Sequence, residues 1–318
     1  NGKFLRAMLA SLGYKSLGNK DNKYIDLALA LEVFQTSILI HDDIIDNASV
    51  RRGKDTIPAS YNKSFKTKNK KGFIEKRNNV SNSMALCIGD LGFYLAEEVI
   101  VGSYKNNPYL AKVLSYYHGT AIKTCLGEML DITLPFKEEF YETDSKLEEK
   151  IMEVYKLKTS WYSVIGPYCL GMILGGASKK EVKKMEDILL NIGIAFQIKD
   201  DLLGIYGNNK HIGKSTNSDI EEYKQTILYS YTMKTEYKKE LLKYYGKKDL
   251  TKKQINYVKE IFEKSGAREY ALEIMNKLFN SSLEKISKAK FIDDNIKSIL
   301  KGFIIYLENR SKWGNINE

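Results

Sequence analysis

Apolar residues recur at three- and four-residue spacing along most of this chain, the pattern of helices that turn one face inward. Two helices are predicted within residues 1–46, with Gly13 and Gly18 in the loop between them. The second starts near Asp21 and carries Ile25, Leu27, Leu29, Leu31, Val33, Phe34, Ile38 and Leu39. It is apolar nearly all round, so it reads as a buried central helix. Residues 47–61, with Pro58, read as a loop. The stretch that follows, 62–78, opens with a polar, basic tract (62–72) that lacks periodicity and reads as an exposed surface insertion. Helical patterns return over 82–102, 108–134, 148–165, 167–175 and 179–203. Pro108 and Pro167 suit first-turn positions, and Ser178 with Glu181 has the spacing of a capping box. Beyond a loop at 204–219, helices are predicted over 219–245, 251–266, 267–286 and 295–310.

The chain has 318 residues with 43% hydrophobic content and 4 prolines, enough for a substantial helical core. No apolar run reaches the roughly 18 residues that cross a bilayer. No signal peptide is visible, which points to the cytoplasm and leaves open a targeting segment upstream. The net charge of +10 comes largely from Lys/Asn-rich surface segments. The basic tract lacks interleaved aromatics apart from Phe65, so nucleic acid is not the expected partner. Cys87, Cys125 and Cys169 are far apart and form no CxxC, so they are expected to be buried thiols and not zinc ligands. No GxGxxG or GxxxxGK[ST] element supports a dinucleotide or P-loop fold.

The candidate chemistry begins at 38–46, where Asp42, Asp43 and Asp46 close a long apolar run, with Arg51-Arg52-Gly53 just beyond. Helix periodicity sets Asp42 and Asp46 on one face about 6 Å apart, with Asp43 rotated by about 100°. Adjacent acids facing a cavity repel unless a cation lies between them. Hard oxygen donors suit Mg²⁺, and nearby arginines suit a diphosphate bridged by that metal. A second copy of the pattern strengthens this reading. Phe196-Gln197-Ile198-Lys199-Asp200-Asp201 closes another apolar run and is followed by Lys214 and Lys224.

Six elements in order resemble the trans-prenyl diphosphate synthases, the farnesyl and geranylgeranyl diphosphate synthases. Gly2-Lys3-Phe4-Leu5-Arg6 is similar to the family's GKxxR element, and 42–53 to its first aspartate-rich motif with RRG. Gly127-Glu128-Met129-Leu130-Asp131 resembles G(Q/E)xxD, and Lys158-Thr159 resembles the K-T pair. The stretch 196–201 resembles the second aspartate motif, and Gly213-Lys214 through Asp219-Ile220 and Lys224 the downstream basic segment. The resemblance implies an all-α, single-domain helical bundle around a deep central cavity, and a homodimer. Because the chain begins inside a motif, one or more helices are expected upstream.

The implied reaction is condensation of isopentenyl diphosphate with an allylic diphosphate (dimethylallyl, geranyl or farnesyl) through an allylic carbocation. The resemblance assigns three Mg²⁺ ions to Asp42, Asp46 and Asp200, with Asp43, Asp201 and Asp131 in supporting positions. Arg51, Lys158 and Lys214 would grip the allylic diphosphate, with Lys224 in support. Lys3, Arg6 and Arg52 would bind isopentenyl diphosphate. Gln35, seven residues before Asp42, shares its face and is placed to reach that group. Thr159 and Gln197 would turn oxygen dipoles toward the carbocation. His41, His118 and His211 are expected to be structural or exposed. The His41-Asp42 pair also matches the signature of metal phosphohydrolases, but no His-rich ligand set accompanies it.

Ile38 lies one turn beneath Asp42, where a growing chain would pass. Farnesyl synthases carry bulky aromatics at the positions of Ser37 and Ile38. The smaller residues here predict a deeper pocket and geranylgeranyl diphosphate as product, with farnesyl diphosphate as intermediate or co-product. Leu31 and Phe34 are candidates for its floor or for plain core packing. Gly204 departs from the third aspartate common in the second motif. The rival readings are a farnesyl synthase proper, a terpene cyclase or head-to-head synthase, and a non-catalytic subunit that regulates a synthase partner.

Overall fold

The computed structural model describes residues 4–65, 71–136, 144–207 and 218–309. Helices dominate: α1 (Leu5–Lys15), α2 (Ile25–Ile45), α3 (Ile57–Ser64), α4 (Lys71–Tyr104), α5 (Leu110–Thr133), α6 (Asp144–Val154), a π-helical segment (Tyr155–Ile165), α7 (Gly166–Leu174) and α8 (Lys179–Tyr206). They are followed by the short α9 (Ser218–Glu221), α10 (Ile227–Thr232) and α11 (Lys238–Leu241), and by α12 (Lys252–Lys264), α13 (Ala267–Lys288) and α14 (Asp294–Glu308). A two-residue hairpin, Val50–Arg51 against Lys54–Asp55, turns the chain after α2. Helix α2 packs on α4 and α1, while α8 packs on the π segment and α13. The fold is all-α, as the periodicity predicts.

Local chemistry explains the helix ends. The Ser178–Glu181 capping box opens α8, and Thr251 with Gln254 opens α12 in the same way. Helix α2 has no side-chain cap of its own. Instead the Tyr104 hydroxyl of α4 accepts the Leu27 N–H at 2.9 Å and donates to the Lys23 carbonyl. Buried Lys199 of α8 donates to the Glu308 carbonyl at 2.8 Å, placing a cation at the end of α14.

The segment 155–165, predicted as the end of a helix over 148–165, is wound as a π-helix and wedged between α5 and α8. Both neighbours have glycine at the point of contact. A Cβ on Gly127 would lie 2.3 Å from the Lys158 backbone nitrogen, and one on Gly193 would lie 2.4 Å from the Ser160 Cβ. The wider π turn fits because those side chains are missing, and π turns of this kind collect at functional sites. Lys158 and Thr159 lie within it.

Several expectations need correction. Gly13 lies inside α1, not in a loop, where its bare Cα lets α1 approach the Tyr168 carbonyl of α7. Helix α2 begins at Ile25, and it is not buried all round, since Ile25 and Leu29 are each 53% exposed. The loop at 47–61 holds the hairpin and most of α3, with Pro58 in the first turn. The basic tract is bounded by helix on both sides, with α4 starting at residue 71; residues 66–70 lie outside the described residues. The helix over 219–245 is broken into three short pieces. Cys87 and Cys125 are exposed, and only Cys169 of the three is buried, its thiol pushed up to about 12 by burial.

Gly127→Ala is expected to lower stability by about 1–3 kcal/mol, because the new methyl meets rigid backbone. Thermal unfolding followed by circular dichroism should show a melting point several degrees lower.

Candidate active site

The end of α2, the Glu128–Asp131 turn of α5, the π segment, the last turns of α8 and the stretch 219–227 converge on one cluster of acids and cations. On the α2 side, Arg51 donates to Asp42 at 2.9 Å and to Asp43 at 2.5 Å. Burial alone would favour loss of its charge, but the two carboxylates outweigh that and hold the guanidinium protonated. The hairpin turn presents Arg51 inward while Arg52, with a φ of 53°, sits exposed before Gly53.

In the middle, Lys158 reaches Asp131 at 2.7 Å, Glu128 at 2.8 Å and Asp42 at 3.9 Å. Burial pushes the ammonium toward neutrality, and the three acids reverse this and raise its pKa. Burial in turn raises the Glu128 carboxyl. One lysine of the π segment therefore ties the first aspartate motif to α5.

On the α8 side, a hydrogen-bonded chain runs across the site. Thr159 Oγ1 donates to Gln197 Oε1 at 2.5 Å, and Gln197 Nε2 donates to Asp201 Oδ1 at 2.8 Å. The Tyr155 hydroxyl donates to Asp201 Oδ2 and accepts the Ile227 N–H at 2.9 Å. Lys224 approaches Asp201 at 3.7 Å. Asp201 is fully buried, and burial outweighs Lys224 and the hydrogen bonds, so its carboxyl is pushed up to about 6. Asp219, first, then Asp201, Asp131 and Asp46 raise the pKa of Lys224 against the opposing effect of burial.

The structure thus brings together Asp42, Asp43, Asp46, Arg51, Asp131, Lys158, Thr159, Gln197, Asp201 and Lys224. Asp200 is half-buried on the same turn of α8 as Asp201. Arg6 is buried on the π segment, donating to Ser163 at 2.6 Å and lying 4.5 Å over the Tyr162 ring, with its Nε unpartnered. Gln35 is half-buried on α2. Lys3, Lys214 and His211 lie outside the described residues. His41 braces α2 on α4, contacting the Leu86 carbonyl and Asp90 at 3.3 Å each, and His118 pairs with Glu97 at 3.3 Å. His41 thus has a packing role consistent with the expectation for it.

Two participants were missed. Glu128 was within reach of sequence reasoning, since it precedes Asp131 by three residues and shares its helical face. Tyr155 was not, because its link to Asp201 spans 46 positions and follows only from the packing of the π segment on α8.

Beneath Asp42, Ile38 is half-buried. Ser37 is buried and turned to α4, where its Oγ would lie 2.0 Å from a Cβ on Gly92. Leu31 and Phe34 belong to the core, and the Phe34 ring packs on Phe93 and Tyr117 at 5.5 and 5.1 Å.

The donor set fits Mg²⁺. It is all carboxylate oxygen, and acids outnumber the cations Arg51, Lys158 and Lys224 in the cluster. Among the described residues no three acids stand close enough to cage an ion unaided. Dispersed carboxylates of this kind suit an ion that shares its coordination with phosphate oxygens.

This arrangement of paired acidic helix ends facing lysines in an all-α bundle defines a class, and comparison with known proteins identifies it. Residues 1–263 match the polyprenyl synthetase family model. The chain belongs to that family of trans-prenyltransferases. It is 30% identical to the short chain isoprenyl diphosphate synthase of Methanothermobacter thermautotrophicus, over 85% of this chain and 75% of that protein. It is 28% identical to the farnesyl pyrophosphate synthase of Candida albicans, over 92% of this chain and 79% of that protein. The crystal structure of geranylgeranyl pyrophosphate synthase from Corynebacterium glutamicum, complexed with isoprenyl diphosphate and magnesium, superposes with a TM-score of 0.85 at 26% identity. That match covers 98% of this chain and 87% of that one.

Asp201 gives a pH test of the metal-free protein. An acid with a raised folded-state pKa keeps its proton in the fold where the unfolded chain has lost it. Stability from this group is therefore present at low pH and is lost as pH rises from about 4 to about 6, by on the order of 3 kcal/mol. The Asp201→Asn variant should lack that component when melting is followed across this window.

Proposed function

We propose that this chain is a Mg²⁺-dependent synthase that condenses isopentenyl diphosphate with allylic diphosphates, giving geranylgeranyl diphosphate with farnesyl diphosphate as intermediate or co-product. The observation that carries the reading is the three-way grip of Lys158 on Asp42, Glu128 and Asp131. It holds a cation among the acids of α2 and α5, ready to meet phosphate oxygens.

The difficult step is breaking the allylic C–O bond, with the electron pair leaving on diphosphate. Mg²⁺ held by Asp42, Asp46 and Asp200 would supply the charge that stabilises that leaving group. Arg51 and Lys158 add fixed positive charge without having to be recruited, since the carboxylates already orient them. The isopentenyl double bond then attacks the cation, and the released diphosphate takes the proton lost from the adduct. Thr159 and Gln197 offer oxygen dipoles to the cation but no strong nucleophile. The orientation of Gln197 is fixed because its NH₂ is committed to Asp201. Buried Arg6, with its unpartnered Nε, supports a second diphosphate site on α1.

The half-buried aliphatic Ile38 supports the longer product. Against it stands a farnesyl synthase, whose chain would end at a bulkier residue in this place. Ile38→Phe should shift the product toward farnesyl diphosphate in a chain-length assay, and unchanged length would remove Ile38 as the ruler. Ser37→Phe is a poorer probe, because it must force α2 from α4 at Gly92. With labelled isopentenyl diphosphate, incorporation should vanish on chelation of divalent ions and return with Mg²⁺. Lys158→Ala should reduce it by about 100-fold or more. Incorporation that survives chelation would overturn the metal-dependent reading, and none under any condition would favour the non-catalytic subunit.

A homodimer is part of the proposal. Leu91, Tyr94 and Leu95 on α4 and Ile122, Leu126 and Met129 on α5 are each half exposed or more. Their helical spacing makes one apolar face on two packed helices, which suits a second copy of the same chain. Sedimentation should give twice the chain mass, and charge placed at Leu91 and Leu126 should give monomers. A wild-type monomer would refute it.

A further inference from the structure

Helix α9 ends in a turn that an ordinary side chain fits poorly. Tyr223 has a φ of 56°, its N–H returns to the Ile220 carbonyl at 3.3 Å, and the Lys224 N–H returns to the Asp219 carbonyl at 3.1 Å. This pair of bonds is a helix stop that favours glycine at its left-handed residue, because a Cβ there crowds the backbone. Here the residue is a tyrosine, and the surroundings of its ring offset the strain. The ring packs edge-on against Tyr229 at 5.6 Å and tilted against Tyr245 at 5.8 Å, and its hydroxyl is hydrogen-bonded to that of Tyr229 at 2.8 Å. Tyr229 and Tyr245 are themselves buried. Gly246 leaves room for the ring, since a Cβ there would lie 2.8 Å from Tyr223 Cδ2. The backbone on either side is held as well. The Tyr245 hydroxyl donates to the Lys224 carbonyl at 2.8 Å, and Gln225 Nε2 donates to the Tyr223 carbonyl at 3.1 Å.

We infer that Tyr223 is the positioning residue for Lys224: its ring, locked among Tyr229, Tyr245 and Gly246, fixes the direction in which that ammonium leaves the turn. This rests on the reading that places Lys224 among the cations that meet the diphosphate. Lys224 stands 3.7 Å from Asp201, at one end of the hydrogen-bonded chain that runs through Gln197 to Thr159. A lysine side chain has many rotamers to lose before it can hold one place. A glycine at 223 would make the same turn without strain, but it would leave the backbone before Lys224 free to move. The tyrosine accepts the strain and removes that freedom. It acts through Lys224 and not on the substrate.

The test separates positioning from packing. The probe is inorganic pyrophosphate with Mg²⁺, titrated into the whole protein, alongside the KM for the allylic diphosphate. Tyr223→Gly and Tyr223→Asn both accept the left-handed turn and should remain folded. Each should weaken pyrophosphate binding and raise that KM by about tenfold, the effect of slackening one hydrogen bond to a charged group. Tyr223→Phe keeps the ring and should retain most of the affinity. In a Lys224→Ala background, Tyr223→Gly should weaken binding no further, because a residue that acts through the lysine then has nothing to position. A general loosening of the fold would instead add its own loss to that of Lys224→Ala. The inference is overturned if the glycine and asparagine variants bind as wild type does, if Tyr223→Phe binds as weakly as they do, or if the loss persists without the lysine. If Lys224→Ala by itself leaves pyrophosphate binding unchanged, the placing of Lys224 at the diphosphate fails, and the inference falls with it.

Discussion

The structure depends on an electrostatic imbalance at the ends of two helices. Asp42, Asp43 and Asp46 on one side and Asp200, Asp201 and Asp219 on the other would repel without the cations between them. Arg51 bridges Asp42 and Asp43, Lys158 bridges Glu128 and Asp131, and Lys224 approaches Asp201 under the added pull of Asp219. These contacts are partly shielded from water, where a charge pair is stronger than on the surface and a broken one is costly. The cations restrain the acids but do not neutralise the whole set. That residual negative charge suits a divalent ion that shares its coordination with a diphosphate.

Backbone packing makes this geometry possible. Lys158 reaches three acids on two helices because its own segment is wound as a π turn and pressed against α5 at Gly127. The same segment carries Tyr155 and Thr159 to the α8 side, where they meet Asp201 and Gln197. A regular α-helix through 155–165 would rotate these residues relative to one another by the difference between the two helical periods. Glycines at the contacts with α5, α8 and the 219–224 turn all serve the same end, close approach of backbone to the site.

Much of this was legible in sequence. The long helices follow from apolar spacing, and the aspartate motifs stand out because each ends an apolar run and is trailed by basic residues. What sequence could not show falls into two kinds. The π turn and the Tyr155–Asp201 link arise from tertiary packing and leave no periodic trace. The broken helix over 219–245 misled because Tyr223, at a φ of 56°, turns the chain inside a stretch of good helix formers. Ser37 is a further case: its small size was read as space for substrate, whereas the structure uses it for contact with Gly92.

The central claim is that these carboxylates take up a divalent ion together with a diphosphate, each needing the other. Calorimetric titration of inorganic pyrophosphate into the whole protein, with and without Mg²⁺, tests it most directly. The account predicts strong binding when both are present and little heat from either alone. Pyrophosphate binding of equal strength without Mg²⁺ would contradict it.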